Sequence, residues 1–197
     1  MSRFSVKLPL VTDRLRIRPF DGERDLLAFH AYRSLPEVCR YAPIEPATRA
    51  QISSRLEGDT YTRSELREDG DAWMLAVEET ATGEMIGDVI LFWRSTAHEQ
   101  CEVGWTINPA AQGRGYATEA ARALAGAAFE HMPVHRLSAV IDERNEASVK
   151  VARRLGMRQE ARRVDCEWLK GQWVTLTEWA VLEHEWAMLR EEHQVAR

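Results

Sequence analysis

The sequence predicts a single α+β domain over residues 1–197, a mixed α/β fold with about seven strands and flanking helices. Strand-like and helix-like segments follow one another in the order β-α-α-β-β-β-α-β-α-β-β. The chain of 197 residues is long enough to bury a substantial core, and no linker or internal repeat divides it. Its 45% apolar and 29% charged residues are typical of a soluble globular protein.

The first elements follow from alternation, caps and prolines. Residues 15–18 alternate apolar and charged side chains, which indicates a half-buried strand. Asp21 is the predicted N-cap of the helix that follows this strand. The two prolines in residues 41–46 predict a loop. A second, more polar helix is predicted to begin at Thr48 and to reach about Arg67, with an interruption at Gly58.

The remaining elements are predicted from apolar runs separated by turn residues. Strands are predicted at 72–77, 85–93, 101–107, 137–141, 157–168 and 172–182, and helices at 118–131, 146–155 and 183–192. Thr82-Gly83 and Lys170-Gly171 are predicted hairpin turns, and Gly156 ends the helix before it. The core of the domain is therefore expected at about 8–182, with residues 183–197 as a C-terminal helix and tail.

A glycine-rich run between a strand and a helix carries the strongest functional signal. It reads Gln112, Gly113, Arg114, Gly115, Tyr116, Ala117, Thr118, Glu119 and Ala120. Two glycines allow a tight backbone turn that can approach a ligand closely. The start of the following helix offers unpaired N–H groups and a positive dipole end, and Arg114 adds a cation. This arrangement predicts binding of an anion, in particular a cofactor that carries a pyrophosphate.

Three kinds of phosphate-binding loop are candidates for this run. A nucleotide-hydrolase loop needs Lys-Ser or Lys-Thr after its last glycine, and neither follows Gly115. A dinucleotide fingerprint needs a third glycine where Thr118 stands. The pattern Q/R-x-x-G-x-G/A is filled by Gln112, Gly115 and Ala117, and it resembles the acyl-CoA-binding motif of the GCN5-related N-acetyltransferases (GNAT). A ligand-free glycine turn and a nucleotide-binding module are the alternatives.

Further motifs extend the resemblance over about residues 8–182. The family motif N-x-x-[AS]-x-x-[LV]-x-x-x-x-G-[FM] is matched by Asn145, Ser148, Val151, Gly156 and Met157. Residues 10–20, 102–109 and 168–174 look like the RimJ/RimL branch, which acetylates protein N-termini and other amines. The resemblance implies the GNAT fold, a mostly antiparallel twisted sheet splayed between its fourth and fifth strands. It also implies an acetyl-CoA-dependent N-acetyltransferase that acts on a primary amine, with a homodimer as a family expectation. Direct transfer of the acetyl group is expected, because no cysteine lies in a motif that suggests an acyl-enzyme.

The resemblance also implies which residues form the site. The cofactor-binding residues are expected to be Val103, Trp105, Ile107, Gln112, Gly113, Arg114, Gly115, Tyr116, Ala117, Thr118, Asn145 and Ser148. Glu102 is the candidate base or holder of a cationic amine, and the Ser148 hydroxyl the candidate partner of the leaving sulfur. Backbone N–H groups of strand 103–107 are expected to stabilise the oxyanion. The alternatives are an ordinary strand glutamate for Glu102 and helix capping for Ser148 and Asn145.

One position departs from the family pattern. Many GNAT enzymes place a catalytic tyrosine seven residues after the motif asparagine, and this chain has Ala152 there. A tyrosine mechanism at this position is therefore excluded. The departure motivates an alternative function, a non-catalytic acyl-CoA sensor or interaction module.

Composition excludes several other classes of function. The net charge of −5 argues against a nucleic-acid partner and favours a cationic substrate such as an amine. No run approaches the roughly 20 apolar residues of a membrane span, and no secretory leader is evident. Cys39, Cys101 and Cys166 are widely separated, so neither a disulfide framework nor a metal site is expected. A cytoplasmic location is expected.

Trp73, Trp93 and Trp105 lie on predicted central strands, where core packing is expected, although one or more of them could line the acceptor pocket. Tyr41, Trp168 and Trp173 are further candidates for that pocket.

Overall fold

A computed structural model describes residues 6–63 and 65–195 of the chain. The strands are β1 (Leu10–Val11), β2 (Leu15–Arg18), β3 (Ala72–Glu79), β4 (Met85–Ser95), β5 (Gln100–Ile107), β6 (Arg136–Asp142), β7 (Arg158–Leu169) and β8 (Gln172–Leu182). The helices are α1 (Gly22–Arg33), α2 (Pro36–Cys39), α3 (Arg49–Leu56), α4 (Asp59–Thr62), α5 (Tyr116–His131), α6 (Glu146–Arg154) and α7 (Glu183–Val195). Within the described residues the strands form one sheet in the order β1-β2-β3-β4-β5-β6-β8-β7.

The sheet opens between β5 and β6, which are its one parallel pair in the described ranges. The two strands pair at only three positions, and the last pair joins Glu102 to Ser138. Beyond it β5 continues to Ile107 and β6 to Asp142, each still paired with its other neighbour. This divergence is called the fork below. It confirms the predicted splay. The strand β1, of two residues, and the helix α2, of four, were not predicted.

Helices cover both faces of the sheet. Alanines of α5 allow it to lie close to the sheet, and Ala121 and Ala125 are fully buried in the cluster that contains Val103. The opposite face carries a second cluster in which α1 and α3 pack against β3, with Phe29 and Ile52 as central side chains. The first cluster also contains Cys101 and Ile107 of β5, whereas the second reaches only β3 and β4 of the sheet. The first cluster therefore holds the strand that forms one edge of the fork.

Two helix boundaries differ from the prediction. The interruption at Gly58 is confirmed, because this residue is extended and serves as N-cap of α4. The extension to Arg67 is wrong, since α4 ends at Thr62 and Leu66 lies fully buried in the main core, where it forms a bridge. Helix α5 begins two residues earlier than predicted, because Gly115 takes a left-handed conformation and occupies the N-cap position without a capping side chain.

A buried ion cluster ties β2 to α1 and β3. The Arg18 guanidinium donates to both carboxylate oxygens of Asp25 at 2.7 Å and to Glu78 at 2.7 Å. Asp25 is 1% exposed. The hydrogen bonds to Asp25 raise the pKa of Arg18 against the opposing effect of burial.

Removing one member of this cluster is expected to destabilise the protein strongly. Asp25→Ala leaves a buried guanidinium with less than its full counter-charge, so the free energy of unfolding should fall by about 3–5 kcal/mol. Urea denaturation followed by circular dichroism measures this change. Glu146→Gln is the control, because the exposed pair of Glu146 and Lys150 should contribute less than about 1 kcal/mol. Equal effects of the two substitutions would contradict the assignment.

Candidate active site

The glycine-rich run folds into a loop that ends in an uncapped helix. Gly113 and Gly115 have φ of +79° and +83°, a left-handed conformation that glycine adopts readily. The N–H of Glu119 donates to the carbonyl of Gly115 at 3.1 Å, which closes the first turn of α5. The N–H groups of the three preceding residues, 116–118, have no partner within the helix. They form a row of donors at the positive end of the helix dipole.

The start of α5 differs from the starts of three other helices. Asp21, Thr48 and Asn145 each accept a hydrogen bond from a backbone N–H of the helix that they cap, namely α1, α3 and α6. Gly115 has no side chain that could do so at the start of α5. The donors of this helix are therefore left for another acceptor.

Side chains around the loop hold its shape. The Gln112 amide donates to the carbonyl of Ile107 at 2.9 Å, and the Tyr116 hydroxyl donates to Glu79. Arg14 donates to the carbonyl of Arg114 at 3.0 Å and lies 4.6 Å from the centroid of the Tyr116 ring. The side chains of Gln112 and Tyr116 thus position the loop. The N–H of Gln112 donates to the carbonyl of Pro109 at 3.2 Å, so the open donors begin at the start of α5.

Glu119 anchors the first turn of α5 to the N-terminal segment. It accepts from Arg14 Nε at 2.8 Å and from the Thr12 hydroxyl at 2.6 Å. Burial alone would raise the pKa of Glu119, but the hydrogen bonds from Thr12 and Arg14 outweigh it and lower the pKa. Glu119 therefore stays ionised and is engaged with Arg14.

A cleft of about 500 Å³ lies between this loop, the fork and α6. It brings together most of the residues predicted to bind the cofactor: Trp105, Ile107, Gln112, Gly113, Gly115, Tyr116, Ala117, Thr118, Asn145 and Ser148. Val103 and Arg114 do not line it. The Val103 side chain is buried in the core, and Arg114 is exposed on the loop. A role for Val103 must therefore come from its backbone.

The backbone of β5 presents hydrogen-bonding groups to the fork. The N–H of Asn108 donates to Ile86 at 2.8 Å, which is the side of β4. Because donors alternate along a strand, the N–H groups of Ile107, Trp105 and Val103 turn the other way. The Val103 N–H is used by the last β5–β6 pair, and those of Trp105 and Ile107 lie beyond it in the fork. The five residues beyond the last β5–β6 pair span about 16 Å, so an extended chain can lie there as an added strand.

The start of helix α6 carries Asn145 and Ser148, and the structure gives these two residues different roles. Asn145 is its N-cap and accepts from the N–H of Ser148 at 3.1 Å, so the capping alternative holds for Asn145. Ser148 is not a cap, and it lines the cleft half-buried. Ala152 is fully buried in the main core. The position of the family tyrosine is thus occupied by a core alanine in this chain.

Glu102 occupies the last paired position before the fork opens. Its carboxylate accepts from Arg94 Nε at 2.9 Å, and its side chain is 18% exposed. Burial raises the pKa of Glu102 above its ordinary value, although Arg94 opposes this effect. Such a carboxyl accepts a proton more readily than an exposed glutamate does. Glu102 is not among the residues that line the cleft.

Cys101 lies next to this position but has no nucleophilic character. Its side chain is fully buried, and burial raises the pKa of its thiol to about 12. The reactive thiolate is therefore almost absent at neutral pH.

Replacing this thiol is expected to leave intact the acetyl transfer that the sequence resemblance implies. Cys101→Ala should keep kcat within about threefold of the wild type, because the thiol is neither ionised nor accessible. Intact-protein mass spectrometry of the wild type with acetyl-CoA should show no acetylated form during turnover. An acetylated species that is lost in Cys101→Ala would contradict direct transfer.

Aromatic residues divide between core and cleft. Trp73 and Trp93 are buried in the main core, as expected, whereas Tyr41 and Trp105 line the cleft. Trp168 and Trp173, the other acceptor-site candidates, are exposed on the β7–β8 hairpin and do not line the cleft. The Tyr41 ring lies 5.2 Å from the Arg40 guanidinium and 5.7 Å from that of Arg144.

Some contributors to the cleft were not predicted. Glu37 and Val38 of α2 and Lys150 of α6 also line it. Lys170, at the tip of the β7–β8 hairpin, donates to the carbonyls of Cys39 and Ile44, the latter at 2.8 Å. The hairpin thereby fixes the loop that follows α2. These contacts join segments that are more than 100 residues apart in the sequence. A local sequence pattern therefore could not predict them.

Two further kinds of feature are absent from residues 6–63 and 65–195. No helix there is long and apolar enough to cross a membrane. No group of three or more His, Cys, Asp or Glu side chains in these ranges is arranged to hold a metal ion.

Comparisons with known proteins agree with this architecture. The family model of the acetyltransferase (GNAT) domain matches residues 14–158. The uncharacterized N-acetyltransferase YnaD of Bacillus subtilis is 30% identical over 181 residues, which cover 90% of this chain and 98% of that protein. The spermidine N(1)-acetyltransferase of Escherichia coli is 26% identical over 173 residues, covering 87% of this chain and 88% of that protein.

Solved structures show the same fold. The ribosomal alpha-N-protein acetyltransferase RimL, solved in complex with coenzyme A, superposes with a TM-score of 0.77 at 18% identity and covers 89% of this chain and 98% of that one. The forked sheet and the uncapped loop–helix junction lie where the family model matches. The chain belongs to the GNAT acetyltransferase family.

Proposed function

We propose that this protein binds acetyl-CoA in the cleft and transfers its acetyl group directly to a primary amine. The observation that carries the proposal is the row of N–H donors at residues 116–118, which starts α5 without a capping side chain and opens onto the cleft. These donors suit a diphosphate. The residues present fit CoA, because the cleft joins this anion site to the fork, where β5 offers backbone groups to an extended arm.

Bound acetyl-CoA supplies the activated acetyl thioester. The chain positions this thioester beside the amine and supplies hydrogen-bonding and proton-accepting groups. The N–H groups of Trp105 and Ile107 face the fork and can donate to an oxyanion there. Glu102, with its raised pKa, lies outside the cleft lining and can accept the proton of the attacking amine through water. The Ser148 hydroxyl can donate a hydrogen bond to the departing sulfur. Asn145, as the cap of α6, keeps Ser148 in place.

The proposed acceptor is a cationic primary amine of the RimJ/RimL type, either a protein N-terminal α-amine or a small-molecule amine. The net charge of −5 attracts such a substrate, and Glu37 places a carboxylate on the wall of the cleft. Among the relatives, one is named for a ribosomal protein substrate and one for spermidine. These names motivate a panel that contains both kinds of amine.

The direct test follows release of free thiol from acetyl-CoA in the presence of an N-terminal peptide panel, spermidine, amino acids and aminoglycosides. Turnover with at least one amine, and a product mass higher by one acetyl group, is expected. CoA binding without turnover of any amine would instead favour the acyl-CoA sensor, which the buried Ala152 motivates.

Replacing Ser148 tests its proposed contact with sulfur. Ser148→Ala keeps the Asn145 cap, because that cap uses the backbone N–H of residue 148. We expect kcat to fall by about tenfold with a nearly unchanged KM for acetyl-CoA, since one hydrogen bond to a developing charge is lost. Steady-state kinetics at saturating amine measures both constants. An unchanged kcat would remove Ser148 from the mechanism.

A further inference from the structure

A second recess of about 540 Å³ lies on the outer side of the glycine loop. It shares Gly115, Thr118 and Arg154 with the cofactor cleft, so the two cavities meet at the start of α5. Arg122 belongs to this recess and not to the cleft. Thr118 and Arg122 are four residues apart and lie on the same face of α5. The recess thus continues the anion site by one helical turn.

Arg122 is a cation whose counter-charge is absent from the described part of the chain. Its guanidinium donates to the backbone carbonyl of Arg154, and no carboxylate in those residues pairs with it. Half-burial alone lowers its pKa, without an acidic group to oppose the effect. A guanidinium in this state is poised for an anion that enters the recess.

One of the two acidic groups of the recess is already paired with a cation that does not line it. Glu119 is held by Arg14 and Thr12, as described above. Asp13 also lines the recess and is the one acidic side chain there besides Glu119. Two guanidinium-bearing residues, Arg122 and Arg154, line the same cavity. Two guanidinium groups match the charge of a phosphate monoester, which is close to a dianion at neutral pH.

We propose that Arg122 and Arg154 bind the 3′-phosphate of CoA in this recess. The inference rests on the proposed function. With the diphosphate on the N–H groups of residues 116–118 and the pantetheine arm in the cleft, the adenosine end of CoA must leave on the other side of the loop. The recess occupies that side. Arg122 and Arg154 would then distinguish CoA from dephospho-CoA, which lacks only this phosphate.

Isothermal titration calorimetry with CoA and with dephospho-CoA tests the assignment. The wild type should bind CoA about 10- to 100-fold more tightly than dephospho-CoA, the gain typical of charge-assisted hydrogen bonds. In Arg122→Gln and Arg154→Gln the affinity for CoA should fall towards that for dephospho-CoA, which should itself change little. Arg153→Gln is the matched control. It removes the same charge from the adjacent residue, whose guanidinium lies 5.5 Å from the centroid of the Trp179 ring.

The possible outcomes separate this inference from the proposed function. Equal binding of CoA and dephospho-CoA by the wild type would overturn the inference and leave the function standing. Failure to bind either compound would overturn the function. Equal weakening of both ligands by the arginine substitutions would also overturn the inference, since it would place the arginines on the diphosphate or in the fold. A melting temperature below that of the wild type would identify a folding defect in Arg122→Gln. In that case the test relies on Arg154→Gln, because Arg154 is exposed.

Discussion

Substitution of Gly115 by valine is expected to weaken CoA binding by at least about tenfold, because a β-branched residue is strained at positive φ. Gly115 has φ of +83° and lines the cleft at the start of α5. The backbone at residue 115 would relieve this strain by leaving the positive φ region. The N–H groups of residues 116–118 would then no longer point together into the cleft. Calorimetry with CoA measures the loss.

Gly83→Val is the matched control for this strain. Gly83 has φ of +70°, and it lies in the β3–β4 hairpin, where a Cβ added to it would meet no atom within 4 Å. The control should lose a similar amount of stability and keep its affinity for CoA. Wild-type affinity in Gly115→Val, at a reduced melting temperature, would show that the loop conformation does not govern cofactor binding.

Substitution of Glu102 by glutamine is expected to lower kcat by about 100-fold, the usual contribution of a general base. The same change should remove the acidic limb of the pH–rate profile. In the wild type the rate should rise with pH through the pKa of Glu102, because the base must be ionised. Burial places this pKa above the ordinary value of a glutamate, so the limb should lie at a correspondingly higher pH.

Arg94→Gln gives the second arm of this test. Arg94 lowers the pKa of Glu102 through their ion pair, so its removal should raise that pKa further. The acidic limb should then move to higher pH while the plateau rate changes little. A limb that stays in place in Arg94→Gln and persists in Glu102→Gln would show that another group, such as the amine substrate itself, controls the profile.

Local patterns were sufficient to predict most elements of this fold. The strand at Leu15–Arg18 follows from alternation, and the cap of α1 follows from Asp21. The helix predicted to reach Arg67 failed because tertiary contact draws Leu66 into the core and outweighs local helical propensity. The start of α5 was predicted two residues too late. The left-handed backbone conformation of Gly115 sets this start, and residue types indicate such a conformation only indirectly.

The candidate site was predicted only in part, because local patterns locate continuous segments and not contacts between distant ones. The loop and the start of α6 are continuous stretches, so a motif could locate Gly115 and Asn145 together with their neighbours. The partners that tune the site are distant in sequence or set by strand register. The pairing of Arg94 with Glu102 depends on the β4–β5 register, and the recess of Arg122 requires α5, α6 and the N-terminal segment together.

The central claim is that backbone N–H groups of the glycine loop bind the diphosphate of CoA. An ¹⁵N–¹H correlation spectrum recorded during a titration with CoA observes these groups directly. Saturable shifts of the amide signals of residues 113–118, larger than those elsewhere in α5, are the predicted result. Saturation by CoA without movement of these signals would contradict the account, because the cofactor would then be held by another part of the protein.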